Sequence, residues 1–179
     1  MPLNFEMAAT HEMKDIALRS KPNAVCIVPE KRMEITTEGG LDLINQFDRL
    51  KSICDQLNDK GLRISLFIEP DLRQIETALK LEVPVIELHT GTYSELRADN
   101  KENELKRIQR AVDYANELGI ECHAGHGLNY ENVGPIASIK KITELNIGHF
   151  LIGEAVFVGL TSAVGKMKNI MVEARKVEV

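Results

Sequence analysis

An α/β fold built on a parallel sheet is what this sequence predicts, on three observations. Short β-rich runs alternate with amphipathic helical stretches along the whole chain, the order produced by strand–crossover–strand units. Polar and glycine residues gather where those runs stop. Its 179 residues, 44% of them apolar, suffice for one domain with a packed core and fit two only awkwardly.

The strand-like runs are 3–8, 24–29, 62–69, 83–89 and 120–124, with a shorter one at 145–147. Between them helices show as apolar residues recurring at steps of three and four. Leu43, Phe47, Leu50, Cys54 and Leu57 form one such stripe, and Gly61 follows it as a C-terminal cap glycine would. Pro70-Asp71 opens a shorter helix carrying Leu72, Ile75 and Leu79. Leu105, Ile108, Val112, Ala115 and Leu118 make the next, stopped by Gly119. Phe157, Leu160, Val164, Met167, Ile170, Met171 and Ala174 mark a C-terminal helix, and 149–158 reads as a short helix before it.

Two strands show how the sheet is used. In 62–69, Ile64, Leu66 and Ile68 share one face while Arg63, Ser65, Phe67 and Glu69 share the other. In 83–89, Ile86 and Leu88 oppose Val85, Glu87 and His89. One apolar and one mixed face suits a barrel with a polar interior, whereas doubly wound strands are normally apolar on both. Six strands in 179 residues fall short of a complete eight-stranded barrel, which needs ~250 residues and at least about 200. An open six-stranded sheet and a barrel without its front both fit.

Composition excludes several classes. No apolar run approaches the ~20 residues of a membrane span, and the first residues lack a secretory signal's basic and apolar regions. Three cysteines (Cys26, Cys54, Cys122), far apart and without a C-x-x-C, argue against a disulfide scaffold or a structural zinc site. A net charge of −5 offers no basic field for nucleic acid. The expectation is a soluble cytoplasmic domain whose ligands are small.

Chemistry-bearing residues collect at the C-terminal ends of the strands, where parallel α/β proteins build their sites. They are Glu6, Pro29-Glu30-Lys31-Arg32, Glu69-Pro70-Asp71, 87–91 (ELHTG), 123–127 (HAGHG) and 146–149 (NIGH). Four of the five histidines lie in these segments, which scatter would not readily give. Glu6 and Glu87 are charges inside apolar strands, costly unless paired or used and therefore candidates for proton transfer. The loop 29–40 (PEKRMEITTEGG) brings Thr36, Thr37, Gly39 and Gly40 ahead of a helix, a combination suited to an anion. His126 stands between Gly125 and Gly127, and Gly148-His149 opens the helix after the last strand, where barrels commonly hold phosphate. Glu87, His89, His123 and His126 could in principle bind a metal, but no ligand motif is present and His123 and His126 fall on opposite sides of a continued strand. No metal site is expected.

At these residues the chain resembles the pyridoxine 5′-phosphate synthase family of vitamin B6 biosynthesis. NFEMA (4–8), KPNAVCIVPEKRMEITTEGGLD (21–42), ISLFIEPD (64–71), IELHTGTY (86–93), AGHGLNY (124–130) and ELNIGHFLIGEAVFVGL (144–160) carry the likeness in family order. The resemblance implies a (β/α)₈ barrel that condenses 3-amino-2-oxopropyl phosphate with 1-deoxy-D-xylulose 5-phosphate, without metal or redox cofactor. It also implies roles: Glu6 as proton acceptor, Glu87 as stabiliser of charged intermediates and His126 as proton donor. Thr36 would contact the deoxyxylulose phosphate, while Gly127, Gly148 and His149 would hold the aminooxopropyl phosphate. The family's first two strands, a GVNIDH-like segment and an arginine- and histidine-rich one, have no counterpart here. The expectation is therefore one incomplete barrel domain over 1–179, comprising strands three to eight, inactive alone and homo-oligomeric like the family's octamers. The competing readings are a non-catalytic remnant or assembly module, and another phosphate-handling barrel isomerase or aldolase. The last is weakened because no lysine occupies a Schiff-base position at a strand end.

Overall fold

Six parallel strands follow one another across a single sheet in chain order. The computed structural model describes residues 2–31, 34–36 and 39–176. Arg32 and Thr37, both singled out by sequence, lie outside them. The strands are β1 Asn4–Ala8, β2 Ala24–Val28, β3 Arg63–Ile68, β4 Val85–His89, β5 Glu121–Gly125 and β6 Ile142–Asn146. The helices are α1 His11–Ser20, α2 Phe47–Asn58, α3 Leu72–Lys80, α4 Gly91–Glu95, α5 Ala98–Glu117, α6 Val133–Ser138, α7 His149–Val158 and α8 Leu160–Lys176. A doubly wound sheet reverses direction at a switch point. Here the order runs β1 to β6 without reversal, as in a (β/α)₈ barrel, with β1 and β6 as edges.

Local chemistry sets the helix ends. Thr10 Oγ1 accepts from the Met13 amide at 3.1 Å to start α1, and Asp71 accepts from the Arg73 amide at 2.8 Å to start α3. Gly61 and Gly119, at φ +72° and +77°, turn the chain after α2 and α5 as the sequence predicts. Gly159, at φ +82°, separates α7 from α8. Three helices are additional to those the sequence predicts: α1, α4 and α6. Only Ala17 of α1 is buried, so no apolar stripe announces it, and the other two span five and six residues. The last strand begins three residues earlier than expected and ends one earlier, and it pairs with β5 through a register shift at Cys122/His123.

Register assigns the two faces. Val25, Ile27, Ile64, Leu66, Ile68, Ile86, Leu88, Cys122 and Ala124 form the outer face, all buried in the core shared with the helices. The inner face carries Glu6, Cys26, Ser65, Phe67, Glu87, His89, His123, Gly125 and Asn146. All three cysteines are free and buried. No described helix is long and apolar enough to cross a membrane.

Candidate active site

Glu87 is the centre of the inner face and is 6% exposed. Its Oε2 accepts from Asn146 Nδ2 at 2.7 Å and from the Cys26 thiol at 3.4 Å. Its Oε1 rests over Gly125, where a Cβ would overlap that oxygen and lie 2.8 Å from the Asn146 carbonyl. Glycine is therefore required at 125 by the carboxylate it faces. Burial pushes the Glu87 carboxyl up to about 7, helped by the charges of Glu6 and Glu144, while its two hydrogen bonds pull the other way. Burial also lifts the Cys26 thiol well above its ordinary value, so it remains an S–H donor. The result is a carboxyl poised between its two protonation states at neutral pH.

His126 sits 4.8 Å from the His89 ring and 6.2 Å from Phe67, centroid to centroid. Its backbone is left-handed, φ +83°, a conformation that β-carbon residues rarely adopt. The turn is clamped from α4 and its flank: Thr90 Oγ1 donates to the carbonyls of Gly125 and His126 at 2.8 and 2.7 Å. Asn132 Nδ2 donates to the Gly127 carbonyl at 3.1 Å. Burial and the neighbouring His89 lower the His126 pKa, opposed by Glu95 and Glu6.

Glu6 reaches the same face from the exposed edge of β1, opposite Cys26 in register. Thr36 Oγ1 is buried and has no hydrogen-bond partner among the described residues, while its amide donates to the Gly40 carbonyl at 2.8 Å. An orphaned buried hydroxyl in an anion-suited loop is an available donor. Gly148 and His149 are exposed at the start of α7; a Cβ at Gly148 would meet nothing within 4 Å, so packing alone does not demand glycine there. Gly127, at φ +77°, has Ser94 Cβ 2.7 Å from where its own Cβ would be.

His123 is a correction to the strand-end cluster. It points into the opposite, N-terminal end of the inner face, with Nε2 2.9 Å from Glu121 Oε1. There it lines a cavity of about 350 Å³ with Asn4, Arg63, Ser65 and Glu144. Among the described residues no group of three or more His, Cys, Asp or Glu could hold a metal.

Sequence reasoning missed Cys26 and Asn146 as partners of Glu87, and the buried pair Glu69–His89. Glu69 Oε1 lies 2.7 Å from His89 Nδ1 and accepts from the Gly40 amide at 3.1 Å; Oε2 accepts from Arg107 at 3.2 Å. The mixed-face alternation placed Glu69 and His89 at the strand ends without pairing them, and nothing in the stripe of α5 singles out Arg107. Gly40 is tightly enclosed: a Cβ would overlap the Glu69 amide nitrogen and sit 2.7 Å from the Ile68 carbonyl carbon. Gly40→Ala should therefore destabilise the fold by roughly 1–3 kcal/mol or more, the range of overpacking, read as a lowered urea midpoint.

Residues 1–173 match the family model described as pyridoxal phosphate biosynthesis protein PdxJ. The pyridoxine 5′-phosphate synthase of Zymomonas mobilis is 57% identical over 175 residues, spanning 98% of this chain and 68% of that protein. That of Rhodospirillum rubrum is 56% identical over 169 residues, 94% of this chain and 68% of its own length. Among solved structures, a lactate oxidase of Pediococcus acidilactici superposes with a TM-score of 0.62 at 9% identity, over 97% of this chain and 57% of that one; such a likeness speaks for the fold alone. With most of its length matched by the family model and more than half its residues shared with these synthases, the chain belongs to the PdxJ family.

Proposed function

We propose that this protein acts as a pyridoxine 5′-phosphate synthase, joining 3-amino-2-oxopropyl phosphate to 1-deoxy-D-xylulose 5-phosphate with release of inorganic phosphate and water. The observation that carries the reading is Glu87, buried on a polar inner face and held at a pKa of about 7. Imine formation, dehydration, phosphate elimination and ring closure each require proton transfers, served best by groups that titrate near the working pH. Glu87 stabilises the cationic intermediates, Glu6 accepts protons from the open side of β1, and His126 returns one late in ring formation. Thr36 Oγ1 donates to the deoxyxylulose phosphate. Gly127, Gly148 and His149, with the α7 N-terminus, receive the aminooxopropyl phosphate. No cofactor enters this chemistry, and the cytoplasm, whose reducing conditions suit three buried free thiols, is the proposed compartment.

Two further βα units on the β1 and β6 edges would complete an eight-stranded barrel. The test supplies them: the chain is assayed alone and fused behind the first two βα units of the Zymomonas mobilis relative, with product followed by mass spectrometry and phosphate release. The fusion should form pyridoxine 5′-phosphate and phosphate in equal amounts, and the 179-residue chain alone should form none. A soluble, folded fusion that makes no product where the parent relative does would overturn the assignment.

The functional form is proposed to be a homo-oligomer. On α7 and just beyond it, Ile152, Val156, Phe157, Val158 and Leu160 are exposed, Phe157 at 87%, and a second copy of the chain is the proposed cover. Sizing chromatography should give a species larger than the 20.0 kDa chain. Phe157→Glu should shift it toward the monomer; an unchanged elution for that variant would remove α7 from the contact.

A further inference from the structure

Glu69 and His89 are both buried, 3% and 7% exposed, and the proposed proton transfers do not use them. Isolated, a buried carboxylate at this place would be costly. Here Arg107 balances it, itself held by Glu104 through two contacts of 2.9 and 2.8 Å. Glu69 Oε1 receives two groups at once, the Gly40 amide from the loop that carries Thr36 and the His89 ring at Nδ1. A carboxylate can only accept, so Nδ1 must carry the proton. Nε2 is then the ring's open nitrogen, and it borders Gly91: a Cβ there would lie 2.6 Å from Nε2 and 3.1 Å from His126 Cδ2. Glycines at 39 and 91 make room for the imidazole, since a Cβ at Gly39 would lie 3.0 Å from its Cε1.

We infer that Glu69 and His89 are positioning residues for the proposed synthase site, Glu69 fixing His89 as the Nδ1–H tautomer beside His126 and tying the Thr36 loop to the same carboxylate. Within this arrangement His89 acts through His126: whenever His89 gains a second proton it repels a proton on His126, which is the direction its charge takes in the structure. The charged and titratable groups around the two rings are Glu69 from the end of β3, Glu87 from β4, Glu95 from α4, Glu104 and Arg107 from α5, Glu6 from β1 and His149 from α7. A purely structural Glu–His pair would stabilise the fold without bearing on how His126 titrates or on turnover by the folded enzyme. The role in turnover rests on the synthase reading, whereas the tautomer and the coupling do not.

The experiment is imidazole nitrogen and carbon NMR on the 179-residue chain. With the rings neutral, His89 should appear with Nδ1 protonated and Nε2 bare, and His89→Gln should raise the His126 titration midpoint. Glu69→Gln, which leaves the surroundings of the His126 ring untouched while removing the carboxylate that holds Nδ1–H, should move the His126 midpoint too, and covers the case in which His89→Gln fails to fold. A His89 found with the proton on Nε2, or a His126 midpoint unmoved in every folded variant, overturns the inference. In the product-forming fusion, Glu69→Gln should lower kcat by up to about 10⁴-fold, the effect of removing the carboxylate that orients a catalytic histidine, and raise KM for deoxyxylulose phosphate through the loosened Gly40 contact. Loss of product in the unsubstituted fusion would strike the synthase reading and leave the NMR result standing.

Discussion

Glu87→Gln should lower synthase turnover by about 10²–10⁴-fold while making the folded chain more stable above neutral pH. The two effects share one origin. The carboxyl is buried among Cys26, Asn146 and Gly125, and burial carries its pKa from the ordinary 4.5 to about 7. A raised folded-state value means that the folded chain binds the proton more tightly than the unfolded one. The stabilisation is therefore complete below about 4.5 and is lost as pH rises through about 7, a span corresponding to roughly 3 kcal/mol. Gln imitates the protonated form: its carbonyl can accept from Cys26 and Asn146, and it carries no charge to desolvate. Thermal melts at successive pH values should show wild-type stability falling between pH 5 and 8 and the variant holding level. On the acid side, Glu34, Asp42, Asp71 and Asp113 have lowered values through their hydrogen bonds and ion pairs, so stability is also lost as pH falls through those values. The wild-type optimum should sit near pH 5. A variant that melts with the same pH slope as the wild type would show that Glu87 is not the titrating group.

His126→Asn should reduce turnover on the same scale, about 10²–10⁴-fold, with inorganic phosphate still bound. Asn is the replacement the backbone admits. At φ +83° it is among the few side chains that tolerate the left-handed region, and the Thr90 bonds run to backbone carbonyls that the substitution leaves in place. In the free site, burial and His89 favour the neutral imidazole. A proton donor must therefore be charged by its surroundings during the reaction, and a phosphate dianion held at Gly127 would do so. Phosphate titrated into the wild-type chain should raise the His126 midpoint, observed through its ring carbon resonance, and unaltered turnover in the Asn variant would end the donor role. Gly127→Val is a poor probe of that phosphate. Its φ of +77° and Ser94 at 2.7 Å would lower both stability and phosphate affinity, so it needs a Ser94→Gly background to isolate the ligand's share.

Most of the fold was legible because it depends on short-range patterning. The alternation of Arg63, Ser65, Phe67 and Glu69 against Ile64, Leu66 and Ile68 described both faces of β3, and Glu87 drew notice as a charge among apolar neighbours. The partners that give these residues their properties were not legible. Cys26 and Asn146 are 61 and 59 residues from Glu87 in sequence, and Arg107 is 38 from Glu69. Such pairings follow from strand register and helix placement, which periodicity does not encode. His123 shows the same limit from the other side: its neighbourhood in sequence is shared with His126, yet a strand rise of about 3.3 Å per residue carries the two toward opposite ends of the inner face.

The three buried thiols give the chain its own reporters of motion. Cys26 lies in β2, next to the edge strand; Cys54 lies in α2; Cys122 lies in β5. Each is raised in pKa by burial, so a thiol reagent finds almost no thiolate to attack until the surrounding element opens. Labelling rates under native conditions then measure local opening at three places without an added probe. Because β1 and β6 are edges covered by one neighbour only, Cys26 in β2 and Cys122 in β5 each report the opening of an edge, and the opening that exposes Cys26 also takes its thiol away from Glu87. The pace of Cys26 modification therefore measures how often the acid at the centre of the site loses one of its two hydrogen-bond donors.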